Sequence, residues 1–266
     1  MTIDLEHAID LYETWWGDLR TARRAMQRLH AQRCVAWSQR SLVHRVAARA
    51  LEPVMSGLRK EAPMLAQVDD EVCELLYMLL RSRRPQVVVE ISPFHGWSTS
   101  WILTALQHNG TGQLRSFDVL DSASRNVPAE LRPRWELVLG DVRKNTARIP
   151  PQIDFLLMDS DHSAEFAQWY VDEVFPRVRP GAPVCVDDIF HSADPGSFDG
   201  EGPVLMDWLR RNDVPWFTCA KAKNPSALNA IHGKKTSLGL VPRIRRGDAN
   251  TSVFFEMPGA PAATGT

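Results

Sequence analysis

Residues 86–106 read QVVVEISPFHGWSTSWILTAL. Residues 86–91 form a short, continuous apolar run, which is typical of a strand buried on both faces of a parallel sheet. Residues 97–106 have the composition of a helix, and the loop between the two contains one glycine, Gly96. The stretch therefore predicts a strand, a loop and a helix, the unit from which α/β folds are built.

The same alternation continues to the end of the chain. Further strands are predicted at 114–120, 135–139, 153–158, 182–186, 214–220 and 251–257, and helices at 164–175 and 202–212. Strands that alternate with helices at this spacing predict an α/β fold with a doubly wound, mostly parallel sheet of seven strands.

Residues 1–84 differ in texture, because their apolar residues recur at helical spacing. We therefore divide the chain into an N-terminal helical section (1–84), an α/β domain (85–257) and a frayed tail (258–266). The helical section carries two adjacent tryptophans, Trp15 and Trp16, and a row of arginines (Arg20, Arg23, Arg24 and Arg28). These form either a packed face and a solvated face, or a lid or homodimer surface.

Composition excludes several classes of protein. The 266 residues are 44% hydrophobic and 24% charged, which is typical of a globular chain rather than a disordered one. A formal net charge of -1 argues against a nucleic-acid-binding protein. No apolar run approaches the ~18 residues of a membrane span, and no secretory signal is visible, so we expect a cytoplasmic protein without a membrane partner. The four cysteines stand too far apart to predict a zinc finger.

Doubly wound sheets bind ligands at the carboxyl ends of their strands. After the first strand, Glu90, Ser92, Gly96 and Ser98 surround the start of a helix, where a glycine permits close backbone approach to a ligand and free N–H groups can meet an anion. The dinucleotide fingerprint G-x-G-x-x-G is absent, which disfavours a dinucleotide-dependent oxidoreductase. The alternative is an ordinary turn that follows a strand.

Two acids follow the next strands. Asp118 ends the second strand, where an ionised carboxylate can accept both hydroxyls of a ribose, and Asp121 is a nearby competitor. Asp141 follows the third strand, in GDVRKN. Taken singly, either acid could instead cap a helix.

A cluster of acids follows the fourth and fifth strands. MDSDH places Asp159, Asp161 and His162 after the fourth, and VDDI places Asp187 and Asp188 after the fifth. Carboxylates crowded at one edge of a sheet raise each other's pKa unless a cation lies among them. Oxygen ligands favour Mg²⁺, or Ca²⁺ or Mn²⁺, over zinc. A single aspartate of this set would be read as a surface helix cap.

The pattern Glu-x-small-x-x-x-Gly-x-Ser at 90–98 resembles the first motif of S-adenosylmethionine-dependent O-methyltransferases, with Ser92 in place of the usual glycine. The resemblance covers about residues 90–257 and implies a Rossmann-like methyltransferase sheet. It implies that Glu90, Ser92, Gly96, Ser98, Asp118 and Asp141 bind the cofactor, with Asp118 on the ribose and Asp141 at the adenine amino group.

Divalent-metal-dependent members of this family, which methylate antibiotic sugars or catechols, hold their metal with one acid after strand four and a pair after strand five. By position, the metal ligands are Asp159, Asp187 and Asp188. The general base is Asp161 or His162, and we prefer His162 because an unperturbed imidazole titrates near neutral pH. His191 is a weaker candidate, and His95 either faces the cofactor or packs.

The resemblance thus implies Mg²⁺-assisted methylation of a hydroxyl on a sugar or glycoside, in a small-molecule or oligosaccharide substrate. Alternatives are a cephalosporin-hydroxylase-like or catechol-type member of the same fold, or a catalytically silent binding module. Residues 191–203 and 221–250 lack clean periodicity and predict loops over the site. The second is basic, which indicates either an anionic substrate or a solvated surface.

Overall fold

The computed structural model describes residues 2–47, 64, 66–195, 200–240, 244 and 249–259, with the backbone alone for 33–47. Its centre is one seven-stranded sheet in the order β3-β2-β1-β4-β5-β7-β6. The first five positions of that order are parallel, and β7 runs antiparallel to both of its neighbours. The strands are β1 (Val87–Ile91), β2 (Gln113–Asp118), β3 (Trp135–Leu139), β4 (Phe155–Met158), β5 (Pro183–Val186), β6 (Trp216–Phe217) and β7 (Val253–Glu256). The predicted doubly wound, mostly parallel sheet is confirmed.

Helices cover both faces of this sheet. They are α1 (Leu5–Ala47), α2 (Asp70–Arg83), α3 (Trp97–Asn109), α4 (Ser122–Asn126), α5 (Ala164–Glu173), α6 (Glu201–Arg211) and α7 (Pro225–Ser237). None of the helices in the described part of the chain is long and apolar enough to cross a membrane.

Alternate side chains of the central strands enter two separate cores. In β1, Val88 packs with α1, α2 and α3 on one face, whereas Val89 and Ile91 pack with α5 and α6 on the other. Successive side chains of a strand point to opposite faces, so a strand covered on both sides must be apolar at every position. This requirement explains the uninterrupted run VVVEI, in which Glu90 is the single polar residue.

Helix α7 lies inside the segment 221–250 that the sequence predicts to be a loop, so that part of the prediction is wrong. Asn224 caps the helix by accepting the N–H of Ala227 at 3.2 Å, and Pro225 follows at the first turn. The helix is difficult to see in the sequence because its buried face includes a charged residue, Lys235, which forms ion pairs with Glu71 at 2.7 Å and Glu74 at 2.9 Å.

Parts of the two predicted loops and of the tail lie outside the described residues. These are 196–199 within the first loop, 241–243 and 245–248 within the second, and 260–266 in the tail; in the N-terminal section, 48–63 and 65 are also outside.

The strand order reverses between β1 and β4, because β1 leads by way of α3 to β2 on one side while β4 lies on the other. Ligands of doubly wound sheets bind outside the carboxyl ends of the strands at such a switch point. The loops after β1 and β4 therefore define the place to look for a site.

Candidate active site

The loop after β1 is held by a buried carboxylate. Glu90 has no solvent exposure, and its oxygens accept hydrogen bonds from the hydroxyls of Ser98 at 2.6 Å, Thr99 at 2.8 Å and Ser116 at 2.7 Å. Burial raises the pKa of Glu90, and the three hydroxyl donors oppose that rise. The contacts of Glu90 thus fix the loop and the start of α3 from within.

The same loop has an unusual backbone. Ser92 and Phe94 have φ values of 71° and 45°, and Gly96 has a φ of 84° at the position before α3. A Cβ on Gly96 would lie 2.7 Å from Cγ2 of Val127, so glycine is required there by both conformation and space. Ser92, which stands where the resembled family has glycine, occupies the left-handed region that glycine favours.

Asp118 ends β2 and faces this loop. The residue is buried, and its two oxygens accept the backbone N–H groups of Phe94 and Leu120, both at 2.8 Å. Burial raises its pKa, while these N–H donors act in the opposite direction. Each carboxylate oxygen retains a lone pair beyond its backbone bond, so Asp118 can still accept hydroxyl donors from a ligand.

A cavity of about 320 Å³ opens beside Asp118. It lies over the carboxyl ends of β1, β2, β3 and β4, and its lining residues are Ile91, Ser92, Phe117, Asp118, Val119, Gly140, Asp141, Val142, Arg143, Ser160, Asp161 and Phe166. The structure therefore brings the predicted residues Ser92, Asp118 and Asp141 to one cavity. Glu90, Gly96 and Ser98 do not line this cavity, and they lie in β1, the loop after it and the start of α3.

Asp141 also meets a residue that the sequence analysis did not single out. Its carboxylate accepts the N–H of Arg143 at 2.9 Å and contacts that residue's guanidinium at 3.2 Å, which lowers the pKa of Asp141. The guanidinium carbon lies 5.8 Å from the centre of the Phe166 ring. Val119, the residue after Asp118, is 69% exposed and offers an apolar surface to the same cavity.

The acidic cluster forms at the carboxyl ends of β4 and β5, which are neighbours in the sheet. Three potential ligand atoms, one each from Asp159, His162 and Asp188, lie within 4.8 Å of one another. Burial, and then the charges of Asp187 and Asp188, raise the pKa of Asp159 well above its usual value. Such crowding is relieved when a cation lies between the carboxylates.

Asp187 is oriented differently from the other two acids. One of its oxygens, Oδ1, accepts the Ser252 hydroxyl at 2.5 Å and the Thr251 hydroxyl at 3.3 Å. Burial and the adjacent Asp188 raise the pKa of Asp187 to about 6. Thr251 also donates to Asp188 at 2.9 Å, and Asp188 has a φ of 59°. The predicted acids therefore lie at one edge of the sheet. Asp187, however, bonds to the hydroxyls of Ser252 and Thr251, and the third potential ligand atom of the cluster comes from His162.

His162 is held between two acids. Its Nδ1 lies 2.7 Å from Oε2 of Glu201, and its Nε2 lies 3.6 Å from Oδ2 of Asp188. The Glu201 hydrogen bond, aided by the charges of Asp188 and Asp159, raises the pKa of His162 to about 9 even though burial opposes the rise. The surroundings of His162 therefore differ from those of the unperturbed imidazole on which the preference for this base rested.

The remaining candidates lie at the edges of the site. Asp161 is exposed and accepts the N–H of Ser163 at 3.0 Å, just before α5, while also lining the cavity. His191 Nε2 lies 3.3 Å from Asp188 Oδ1. His95 is buried and stacks on Phe94, with ring centres 3.9 Å apart, so it packs within the loop.

Sequence reasoning missed Arg143, Glu201, Thr251 and Ser252. Thr251 and Ser252 directly precede β7, and an antiparallel β7 places its amino end at the carboxyl end of β5, as the pairing of Val253 with Val186 shows. The order of the strands, had it been assigned, would have revealed these two hydroxyls. Nothing local in the sequence marks Glu201, which comes 39 residues after His162.

Comparison with known proteins agrees with this arrangement. Residues 89–189 match the family model of a methyltransferase domain. No curated protein sequence matches the chain. The O-methyltransferase TomG from Streptomyces achromogenes, described as involved in tomaymycin synthesis and solved with S-adenosylmethionine, is 18% identical, with a TM-score of 0.53 over 80% of this chain and 88% of that one.

A second solved structure, the O-methyltransferase from Bacillus cereus with S-adenosylhomocysteine, is 15% identical. Its TM-score is 0.55 over 82% of this chain and 97% of the other. At these identities the likeness establishes the shared fold. The family match indicates a methyltransferase domain at residues 89–189, and the two solved structures show that the chain shares the fold of O-methyltransferases.

Proposed function

We propose that this protein transfers a methyl group from S-adenosylmethionine to a hydroxyl of a sugar or glycoside, with a divalent cation, Mg²⁺, assisting the reaction. The observation that carries the proposal is the position of the Asp159–His162–Asp188 cluster, on the strand ends adjacent to the cavity at Asp118. A donor in that cavity and an acceptor at the cluster would meet over the switch point of the sheet.

In this proposal the adenosyl part of the cofactor occupies the cavity. Asp118 would accept the ribose hydroxyls through the lone pairs that its two backbone bonds leave free. Asp141 would accept the adenine amino group beside the Arg143 guanidinium, and Val119 would pack on the ring. Glu90 would act indirectly, because its oxygens are already occupied by three hydroxyls.

The residues at the acidic cluster fit a hard divalent cation. Asp159 and Asp188 offer carboxylate oxygens, the donor type that Mg²⁺ prefers, and their mutual repulsion favours a bound cation. In this proposal Asp187 would contribute its second oxygen, Oδ2, while Oδ1 keeps its hydrogen bond with Ser252. When bound, such a cation acts as a Lewis acid that lowers the pKa of a nearby hydroxyl.

His162 is the proposed general base. Its Nε2 points toward Asp188, which places a proton acceptor at the edge where a substrate hydroxyl would lie. A cation held by Asp159 and Asp188 would offset two of the three carboxylate charges that raise the pKa of His162, and would thereby favour the neutral, proton-accepting ring. Asp161 stays the alternative base, although its oxygen already accepts the N–H of Ser163, the residue that caps α5.

For the substrate, two adjacent hydroxyls would suit a cation held on one side by carboxylates. We favour a sugar over a catechol because MDSDH is closer to the sugar-modifying group of the resembled family.

The N-terminal section 1–84 is proposed as a lid or homodimer surface, and its Trp16 is 43% exposed in the described part. Light scattering of the purified protein tests the dimer.

The experiment that tests the function is a methyl-transfer assay with S-adenosylmethionine carrying an isotope-labelled methyl group. Glycosides with vicinal hydroxyls and simple catechols are offered in parallel, with Mg²⁺ or with a strong chelator. We expect labelled glycoside only in the presence of Mg²⁺, and no transfer by Asp188→Asn. Transfer to the catechols alone favours the catechol-type alternative. A protein that binds the cofactor without transferring to either class is the silent module.

A further inference from the structure

Glu201 is tied to His162 by both its backbone and its side chain. It is the first residue of α6 and is 4% exposed. Its backbone N–H donates to the carbonyl of His162 at 2.9 Å, and its carboxylate lies 2.7 Å from Nδ1 of the same residue. The adjoining residues Ser163 and Gly200 form a β-bridge. The start of α6 is thus fastened directly to the loop after β4.

The chemistry of this contact determines which ring nitrogen carries the proton. An ionised carboxylate accepts hydrogen bonds and cannot donate them, so Nδ1 of His162 must hold a hydrogen. In a neutral ring the lone pair is then on Nε2, the nitrogen that faces Asp188 at 3.6 Å. Burial raises the pKa of Glu201, whereas its hydrogen bonds with His162 and Tyr170 act in the opposite direction. Its position in the first turn of α6 also favours the ionised form, because the helix dipole stabilises an anion there.

We propose that Glu201 is a positioning residue, which holds the His162 ring with Nδ1 protonated so that the Nε2 lone pair faces the acceptor edge of the site. This inference rests on the proposed function, in which His162 takes the hydroxyl proton. A residue with a merely structural role would only join α6 to the loop after β4. The two roles differ in whether the carboxylate itself is required.

The variant that separates them is Glu201→Gln, which keeps the size of the side chain. Its amide can donate to Nδ1, which would turn the protonated nitrogen toward the cleft and remove the acceptor there. We expect kcat to fall by ~10²–10⁴, the usual contribution of a correctly placed base. The KM for the acceptor, the Kd for S-adenosylhomocysteine and the melting temperature should stay close to those of the unmodified enzyme.

Two further variants serve as controls. Glu201→Asp keeps an acceptor-only carboxylate and should recover part of the lost kcat. Asp207→Asn removes a carboxylate from the exposed side of the same helix, where it pairs with Arg210 and Arg211, and should leave kcat unchanged. A Glu201→Gln enzyme with kcat within threefold of the unmodified enzyme would overturn the proposal.

A spectroscopic measurement keeps the inference testable if no acceptor is found or if Glu201→Gln does not fold. The ¹⁵N chemical shifts of the His162 ring, assigned by comparison with His162→Ala, report which nitrogen carries the proton in the unmodified enzyme. The measurement is made above the pH at which the ring titrates. A proton on Nδ1 supports the inference and a proton on Nε2 overturns it, whether or not methyl transfer has been observed.

Discussion

Replacement of Asp118 by alanine should weaken binding of S-adenosylhomocysteine far more than it weakens the fold. The carboxylate is buried at the end of β2 and lines the cavity, and each oxygen accepts one backbone N–H while retaining a lone pair. Alanine removes both acceptors that the ribose hydroxyls would use. It also frees the N–H groups of Phe94 and Leu120, and both of these residues are partly exposed, so that water can reach them.

The expected magnitude follows from two charge-assisted hydrogen bonds. A hydrogen bond to a charged group contributes about 1.5–3 kcal/mol, so two of them contribute at least ~3 kcal/mol. At 1.4 kcal/mol per tenfold change in affinity, the Kd should rise about 100-fold or more. The free energy of unfolding without ligand should fall by only about 1–2 kcal/mol, because water replaces the carboxylate at two partly accessible donors.

Isothermal titration calorimetry gives the Kd, and chemical denaturation without ligand gives the stability. Asp121→Ala is the matched control, since that exposed acid lies three residues away before α4 and makes no side-chain capping bond to the helix. It should change the Kd less than twofold. A folded Asp118→Ala protein that binds the cofactor as tightly as the unmodified chain would refute the assignment, and so would an equal loss from Asp121→Ala.

Three other changes test other parts of the structure. Asp188→Asn should abolish Mg²⁺ binding measured by calorimetry, yet its Kd for S-adenosylhomocysteine should stay within about threefold of that of the unmodified chain, because the cluster lies beyond the cofactor cavity. An equal loss of Mg²⁺ binding and cofactor binding would count against two separate sites. Gly96→Ala should lower the free energy of unfolding by about 2–4 kcal/mol, since its φ is 84° and Cβ would lie 2.7 Å from Val127, and an unchanged denaturation midpoint would contradict this. Burial raises the pKa of Glu71, but the charge and hydrogen bond of Lys235, the charge of His232 and a backbone hydrogen bond together outweigh burial, and the net pKa is lowered. The stabilisation that ionised Glu71 contributes is therefore complete above the unfolded pKa of about 4.5 and is lost as the pH falls through the lower folded pKa. Glu71→Gln should lower the free energy of unfolding by ~3 kcal/mol at pH 7, and this loss should shrink below about pH 4.5. A loss that stays constant with pH would show that the charge is unimportant.

The sheet could be predicted from the sequence because its strands are buried on both faces. That burial requires continuous apolar runs such as VVVEI, and each run is bounded by turns and amphipathic helices. Helix α7 escaped prediction because tertiary contacts stabilise it. Its buried Lys235 is acceptable only opposite Glu71 and Glu74 of α2, residues more than 160 positions away.

The acids of the candidate site could be predicted from the sequence, but their hydrogen-bond partners could not. Asp118 ends β2, whereas Asp159 and Asp188 follow β4 and β5, and parallel strands bring such residues to one edge of the sheet. The orientation of each side chain depends on contacts from distant parts of the chain. The hydroxyls of Ser252 and Thr251 donate hydrogen bonds to Asp187, and the Glu201 carboxylate is the largest cause that raises the pKa of His162 to about 9.

The central claim is that a methyl-donor cavity and a divalent-cation site lie side by side on neighbouring strand ends. A crystal structure of the full chain with S-adenosylhomocysteine and Mn²⁺, with anomalous diffraction recorded from the metal, tests it most directly. We predict the ribose hydroxyls on Asp118 and an anomalous peak between Asp159 and Asp188. Ordered S-adenosylhomocysteine elsewhere, or a metal peak away from these two carboxylates, would contradict the account.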